Sequence, residues 1–317
     1  MTRAARTLAA GTLVLLAASA SRAAPSGDAL LQRSEHAECA YSYRGVRVIR
    51  TFFRDQVVEA EAQVLHEKPA TTRTEYLSPP SMAGTVILRI GADRWRRSGR
   101  NAPWQRLPAA DEAEGINLLQ RNYDLRIAQG SPVADRPCTL LLVLPRHPGN
   151  PSKRMWVDQA TGLVLRTELL SRRHNSISSS AFREIEIAPD LTTQADLLQP
   201  PPRALAPAVT TPLGFKPSYP RYLPPGYVFS GTDVINVGNL PGAHLRYSDG
   251  LNTISLFQAP AEAFGGEQPF ASWEWHFAQV ITWRKGDMAY AAVGDIDPEQ
   301  LRKMADSMGP AAPSRGR

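Results

Sequence analysis

The stretch QVVEAEAQVLH at residues 56–66 decides the fold of the first half of the chain. Val58, Ala60, Ala62 and Val64 alternate with Glu59, Glu61 and Gln63, a period of two that puts apolar side chains on one strand face and wet ones on the other. A strand with one solvated face belongs in an antiparallel sheet. Working outward, YSYRGVRVIRTFF at 41–53 precedes it, and short runs separated by Gly, Pro, Asn and Asp turns follow at 70–77, 84–90, 93–97, 123–129, 138–144, 153–158, 163–170 and 181–188. The runs flanking DQATG (158–162) read as a hairpin, with Gly162 supplying a position where positive φ is cheap. Helix signals are sparse: 111–121, with Asp111 as an N-cap, and a weaker 27–38. A large sheet with so few helices must curl to hide its apolar face, and a half-barrel is one solution.

Between residues 200 and 225 nine prolines exclude a helix or a central strand. The stretch reads as a semi-rigid linker, few contacts are expected to cross it, and the units on either side are expected to move separately. Beyond it, 226–308 reads as a smaller α+β domain with strands near 227–237, 244–248, 252–258, 274–284 and 288–293. Its last element is a helix with Asp297 at the N-cap, Pro298 at the first position, and Leu301, Met304, Ala305 and Met308 on one stripe. The fold class is therefore strand-rich α+β, with a first domain over 24–199, a linker over 200–225, the small domain over 226–308 and a disordered tail over 309–317.

Arg3 and Arg6 precede an apolar run from Leu8 to Ala18 and then small residues, which reads as a signal peptide over 1–23. The run is shorter than the roughly 20 apolar residues that span a bilayer. No cysteine sits at the junction, so export to the periplasm without a lipid anchor is expected. Cleavage removes three arginines and no acid, lowering the formal charge of +6 to about +3. That weakens any polyanion reading, and nucleic acid is the wrong partner for an exported chain. Cys39 and Cys138 are expected to form a disulfide, because export and their places near strand starts favour one. Closing so long a loop would contribute roughly 4–5 kcal/mol in the chain-entropy account.

No catalytic, cofactor or metal motif is present: the histidines at 36, 66, 147, 174, 244 and 276 are scattered, and there is no HExxH, GxSxG, phosphate loop or GxGxxG. The chain does put aromatic and basic residues on the same strands. Tyr41 and Tyr43 share a face, Trp95 sits among Arg94, Arg96 and Arg97 with Arg100 nearby, and Trp104 and Trp156 each lie beside basic residues. Covering the sheet is the commoner role for such tryptophans. The functional reading is a lipid site, in which apolar faces including Val86, Leu88, Leu140 and Leu142 take acyl chains and arginines hold phosphate or carboxylate head groups. In the small domain Trp273, Trp275 and Phe277 alternate to one side with Trp283 near them. With Tyr247 and Phe257 they are candidates for core packing or for a partner-binding patch.

Several stretches resemble one family along the whole mature chain: YSYRGVRVI (41–49), KRMWVDQATGLVLRTELL (153–170), FREIEI (182–187), YLPPGY (222–227), HLRYSDGLNTISLFQ (244–258), VITWRKGDMAYAAVGDI (280–296) and DPEQLRKMADSM (297–308). They are similar to the MucB/RseB regulators of envelope-stress anti-sigma factors. The resemblance implies a LolA-like first domain, a curved antiparallel half-barrel around helices with an apolar cavity, followed by the small domain. It also implies a periplasmic, non-enzymatic protein that binds the periplasmic segment of a membrane anti-sigma factor, shields it from proteolysis, and releases it when envelope lipid or a lipopolysaccharide-like ligand binds. The alternative is a lipid or lipoprotein carrier of the outer-membrane sorting type. The linker and second domain favour the regulator, since a carrier needs only the first domain. A homo-oligomer is left open.

Overall fold

The computed structural model describes residues 26–53, 56–107, 112–201, 204–205, 212–264, 271–275 and 278–309. The expected signal peptide, most of the expected tail and Phe277 lie outside the described residues.

Helix α1 (Gly27–Ala40) is capped by Ser26, whose hydroxyl accepts the Ala29 N–H, and turns Leu30, Leu31, Ser34 and Ala37 inward. The strands β1 (Tyr43–Phe52), β2 (Val57–Glu67), β3 (Thr71–Ser78), β4 (Thr85–Ile90), β5 (Asp93–Ser98) and β6 (Trp104–Leu107) follow as an antiparallel meander. After α2 (Glu112–Asn122) a second meander runs through β7 (Tyr123–Gln129), β8 (Cys138–Pro145), β9 (Ser152–Asp158), β10 (Val164–Leu170) and β11 (Ser176–Ile187). Its last strand pairs with β1, and β12 (Ala204–Leu205) adds in parallel to β6. The result is one twelve-stranded sheet in the order β12-β6-β5-β4-β3-β2-β1-β11-β10-β9-β8-β7.

The β9–β10 hairpin forms as expected. Gly162 adopts a φ of 87°, and the buried Asp158 carboxylate accepts bonds from Arg136 Nε and Nη2 at 3.1 and 2.9 Å and from the Thr161 amide at 2.9 Å. The sheet curves around α1. Leu30 and Leu31 pack with Leu141, Val143, Met155 and Val157 on β8 and β9, while the Glu38 carbonyl is 2.7 Å from His66 Nε2 on β2, five strands away from β8. Each fully buried Leu of this core contributes about 1.5–3 kcal/mol. The fold class read from the sequence, strand-rich α+β with a large curved antiparallel sheet, is the one observed.

Cys39 and Cys138 do not form the expected disulfide; both are free. The inward stripe of α1 ends at Ala37, and Cys39, two residues on, is turned to solvent. Cys138 is buried in β8, with Sγ 3.4 Å from the Arg136 carbonyl. Helical phase, invisible to an argument from compartment and spacing, separates the two.

The smaller sheet is built from β13 (Tyr219–Pro220), β14 (Val228–Val237), β15 (Leu240–Ser248), β16 (Thr253–Pro260), β17 (Ala271–Trp275), β18 (Ala278–Lys285) and β19 (Met288–Gly294), then α3 (Pro298–Asp306) and β20 (Met308–Gly309). Six strands run in the order β14-β15-β16-β19-β18-β17, and β13 pairs with β20, so Gly309 lies in a strand and not in the tail. Asp297 caps α3 by accepting the Glu299 N–H at 2.8 Å, and Leu301, Met304 and Met308 join Leu245, Tyr247 and Leu256 in one core. Leu213, Phe215, Tyr219 and Tyr222, from the second half of the proline-rich stretch, pack against this core. Among the described residues no strand pairing joins the two sheets. The β15–β16 turn crosses between the two units, held in the first through the buried Asp249.

Candidate functional site

The face of the large sheet that α1 covers carries cations where alternation would place apolar side chains, Arg47 and Lys153 among them. On β1, Tyr43, Gly45 and Arg47 point the same way, and the Arg47 guanidinium lies 4.2 Å over the ring of Phe182, its register partner on β11. Tyr43 stacks on His66 and meets Phe182 edge-on, with centroids 4.7 and 5.8 Å apart. Arg47 Nε is enclosed without a hydrogen-bond partner. Burial lowers the Arg47 pKa, opposed by Tyr43 and Glu38. On β9 Lys153 shares the parity of Met155, and burial pulls its ammonium down with no opposing carboxylate.

Glu38, at the end of α1, is the nearest counter-charge on this face. It accepts the Tyr43 hydroxyl at 3.2 Å and stands 3.5 Å from Arg89 on β4. Burial beside Glu38 pushes the Tyr43 phenol well up, keeping it a neutral donor. Arg94 stands opposite Arg89 in the β4–β5 register, and Arg96 follows on the same face. The arrangement sets half-buried cations beside apolar side chains on one face, suited chemically to an anionic head group and a hydrocarbon tail together.

The lipid candidates read from the sequence do not all meet there. Tyr43, Arg94 and Arg96 are on the α1 face. Val86, Leu88, Trp95 and Arg97 are on the opposite face, since Leu88 pairs with Trp95 and Val86 with Arg97. Arg97 sits 5.0 Å over the ring of Trp104. On that outer face Leu191 and Leu198, which flank a 3-10 turn, pack on Leu65, and Arg73 is buried against Glu75. Leu140 and Leu142 likewise alternate away from Leu141 and Val143, and Trp156 pairs with Leu140 under the guanidinium of Arg166 at 4.2 Å. Tyr41 is half-buried just before β1, and Arg100 is exposed in the turn after β5. Alternation reveals that a strand has two faces but not which of them a helix will cover. Arg47, Lys153, Phe182 and Met155 were missed, although a charge on the apolar parity of a strand was a usable signal for the first two.

A concavity on the outer face, lined by Arg44, Val46, Gln63, Glu184 and Glu186, is polar, and its Arg44–Glu186 pair at 2.6 Å is a solvent-exposed salt bridge. It lacks both the burial and the unbalanced charge of the α1 face. Among the described residues no three His, Cys, Asp or Glu side chains are grouped to hold a metal, and no helix is long and apolar enough to cross a membrane.

In the smaller sheet Tyr247 is a core residue at 1% exposure, and Trp283 packs against the same core with its ring stacked on Tyr290 at 5.2 Å. Phe257 lies on the other parity, stacked with His244 at 4.4 Å. Trp273 and Trp275 are in register with Val280 and Ala278.

A model of the MucB/RseB N-terminal domain matches residues 94–201. The sigma-E factor regulatory protein RseB of Salmonella typhimurium is 24% identical over 192 residues, 59% of this chain and 59% of its own length. Its counterpart from Escherichia coli K12 is 23% identical over 196 residues, 60% of each. The match thus spans about three-fifths of these relatives. A chain in the complex structure of Pseudomonas aeruginosa MucA/MucB shares the fold, with a TM-score of 0.69 and 22% identity over 90% of this chain and 99% of that one. On the matched domain model and the RseB relatives, the chain is similar to the MucB/RseB family over its first domain.

Proposed function

We propose that this protein is a periplasmic regulator that binds the periplasmic segment of a membrane anti-sigma factor, shields that segment from proteolysis, and responds to an anionic envelope lipid held on the α1 face of the large sheet. The observation that carries the lipid half is the placing of Arg47, whose Nε has no hydrogen-bond partner, and Lys153, which meets no carboxylate, on the face that α1 covers. A buried cation without a partner is costly, and an anionic ligand would remove the cost. The two stand three strands apart and about four residues apart in register, roughly 20 Å, a span that suits an elongated amphiphile better than a small anion. The partner half is supported by the likeness to the MucB/RseB N-terminal domain and by the fold shared with a chain of the MucA/MucB complex. Export rests on the leader-like sequence at 1–23.

Shielding is tested by exposing the purified anti-sigma periplasmic segment to a protease with and without this protein. The reading expects the segment's lifetime to lengthen at least tenfold at saturating protein. Unchanged cleavage despite measurable binding would reject shielding and leave a simple binding protein or a carrier.

A further inference from the structure

The turn between β15 and β16 reaches out of the smaller sheet and into the first unit. At its centre the Asp249 carboxylate is fully buried and receives four donors. Oδ1 accepts the amides of Leu251 and Asn252, within its own turn, at 2.9 and 2.7 Å. Oδ2 accepts the Tyr123 hydroxyl at 2.7 Å and the Asn150 side-chain amide at 2.9 Å, both from the first unit. The Asn122 amide spans the joint as well, donating to the carbonyls of Asp249 and Gly226 at 2.9 and 2.8 Å. Gly250, at a φ of 98°, lies so close to the backbone of Gly115 and Leu119 on α2 that a Cβ has no room.

This joint has the physical form of a two-state device. Two of the carboxylate's donors, Tyr123 and Asn150, belong to the other unit, and the rest travel with it. If the units part, Oδ2 loses both partners and must be flooded by water, since a buried charge left half-satisfied is the costliest state. Intermediate geometries are therefore poor, and the joint is either closed or open. Among the described residues no strand pairing reinforces it, and Arg172 Nε stands 3.9 Å from Asp295 Oδ1. Tyr123 belongs to the same core as Leu30, Leu31, Leu141 and Met155 on the α1 face, and Leu251 packs against that core. A ligand entering that face would press on residues that hold the joint.

We propose that the 248–252 turn is an interdomain latch, closed by Tyr123 and Asn150 on the Asp249 carboxylate and opened as a unit when they withdraw. Its coupling to ligand on the α1 face rests on the function proposed above; the latch itself does not.

The test uses the full chain with Cys39→Ser, spin-labelled at Gln129→Cys on β7 and Arg302→Cys on α3, and reads the distance distribution between them. The parent should give one narrow distance. Asn150→Ala and Tyr123→Phe should each add a longer component in at least a tenth of the molecules, while the unfolding midpoint of the smaller unit stays unchanged. Leu165→Ala, which weakens the large core away from the joint, should leave the distribution narrow. A parent-like distribution in both joint variants, or equal broadening in Leu165→Ala, would overturn the latch. Decyl phosphate, an anionic amphiphile, is then added to the parent. Growth of the longer component supports the coupling. A latch that opens in the variants but ignores decyl phosphate keeps the latch and overturns the coupling to the α1 face.

Discussion

Replacing Arg47 with Met should make the unliganded protein slightly more stable and its grip on an anionic amphiphile much weaker. Arg47 Nε is buried without a partner, a deficit that costs about 1–3 kcal/mol. Against that, the guanidinium gains about 0.5–2 kcal/mol from its position over Phe182, which Met would forfeit in part. Met keeps the contacts of the aliphatic stem. The balance is a gain of roughly 0.5–1 kcal/mol, or about 1 °C in Tm for a protein of this size. A charge-assisted bond to an anionic head group contributes roughly 1.5–3 kcal/mol, so its loss should weaken binding about 10- to 100-fold. Urea unfolding of the free protein measures the first effect, and calorimetric titration with an anionic amphiphile measures the second. A variant destabilised by more than about 1 kcal/mol that binds the amphiphile as well as the parent would refute the reasoning, because Arg47 would then be an ordinary structural cation.

Asp158→Asn should cost about 3–5 kcal/mol at neutral pH, as expected for breaking a buried charge pair. Burial pushes the Asp158 carboxyl up, but the bonds from Arg136 and Thr161 outweigh it and leave the pKa below the usual carboxylate value. The stability it confers is present above the unfolded pKa of about 4 and lost as pH falls through the lowered folded value. The gap between parent and variant in chemical unfolding should therefore shrink only in strong acid; a gap that disappears already at pH 6 would contradict this. For the cysteines, native alkylation followed by intact mass should show one adduct, on Cys39, with Cys138 reacting only after unfolding. Protection of both until a reductant is added would restore the disulfide.

Strand limits were legible because alternation is a local property: 123–129 and 138–144 were read almost to the residue. The α3 boundaries were equally plain, since Asp297 and Pro298 are start signals with a mechanism. β11 starts at Ser176, earlier than its apolar pattern, because the serines at 178–180 pair with Ile49–Thr51 whatever their side chains. The candidate site was only half legible. Which parity of β4 and β8 faces α1 depends on register carried across many strands, so alternation alone does not place Leu88 or Leu140 relative to α1. The joint at Asp249 was not legible at all, since its partners Tyr123 and Asn150 are 126 and 99 residues distant in sequence.

The central claim is that one protein holds an anti-sigma segment and an anionic lipid, and that each ligand opposes the other. Binding linkage is reciprocal, so lipid must weaken segment binding by the same factor by which segment weakens lipid binding. The most direct measurement is isothermal titration of the anti-sigma periplasmic segment into this protein, with and without a saturating anionic lipid fragment. The account predicts a segment Kd at least tenfold weaker with lipid present, and the same factor in the reverse titration. Equal affinity in the two titrations would contradict it and leave either a carrier or a plain inhibitor.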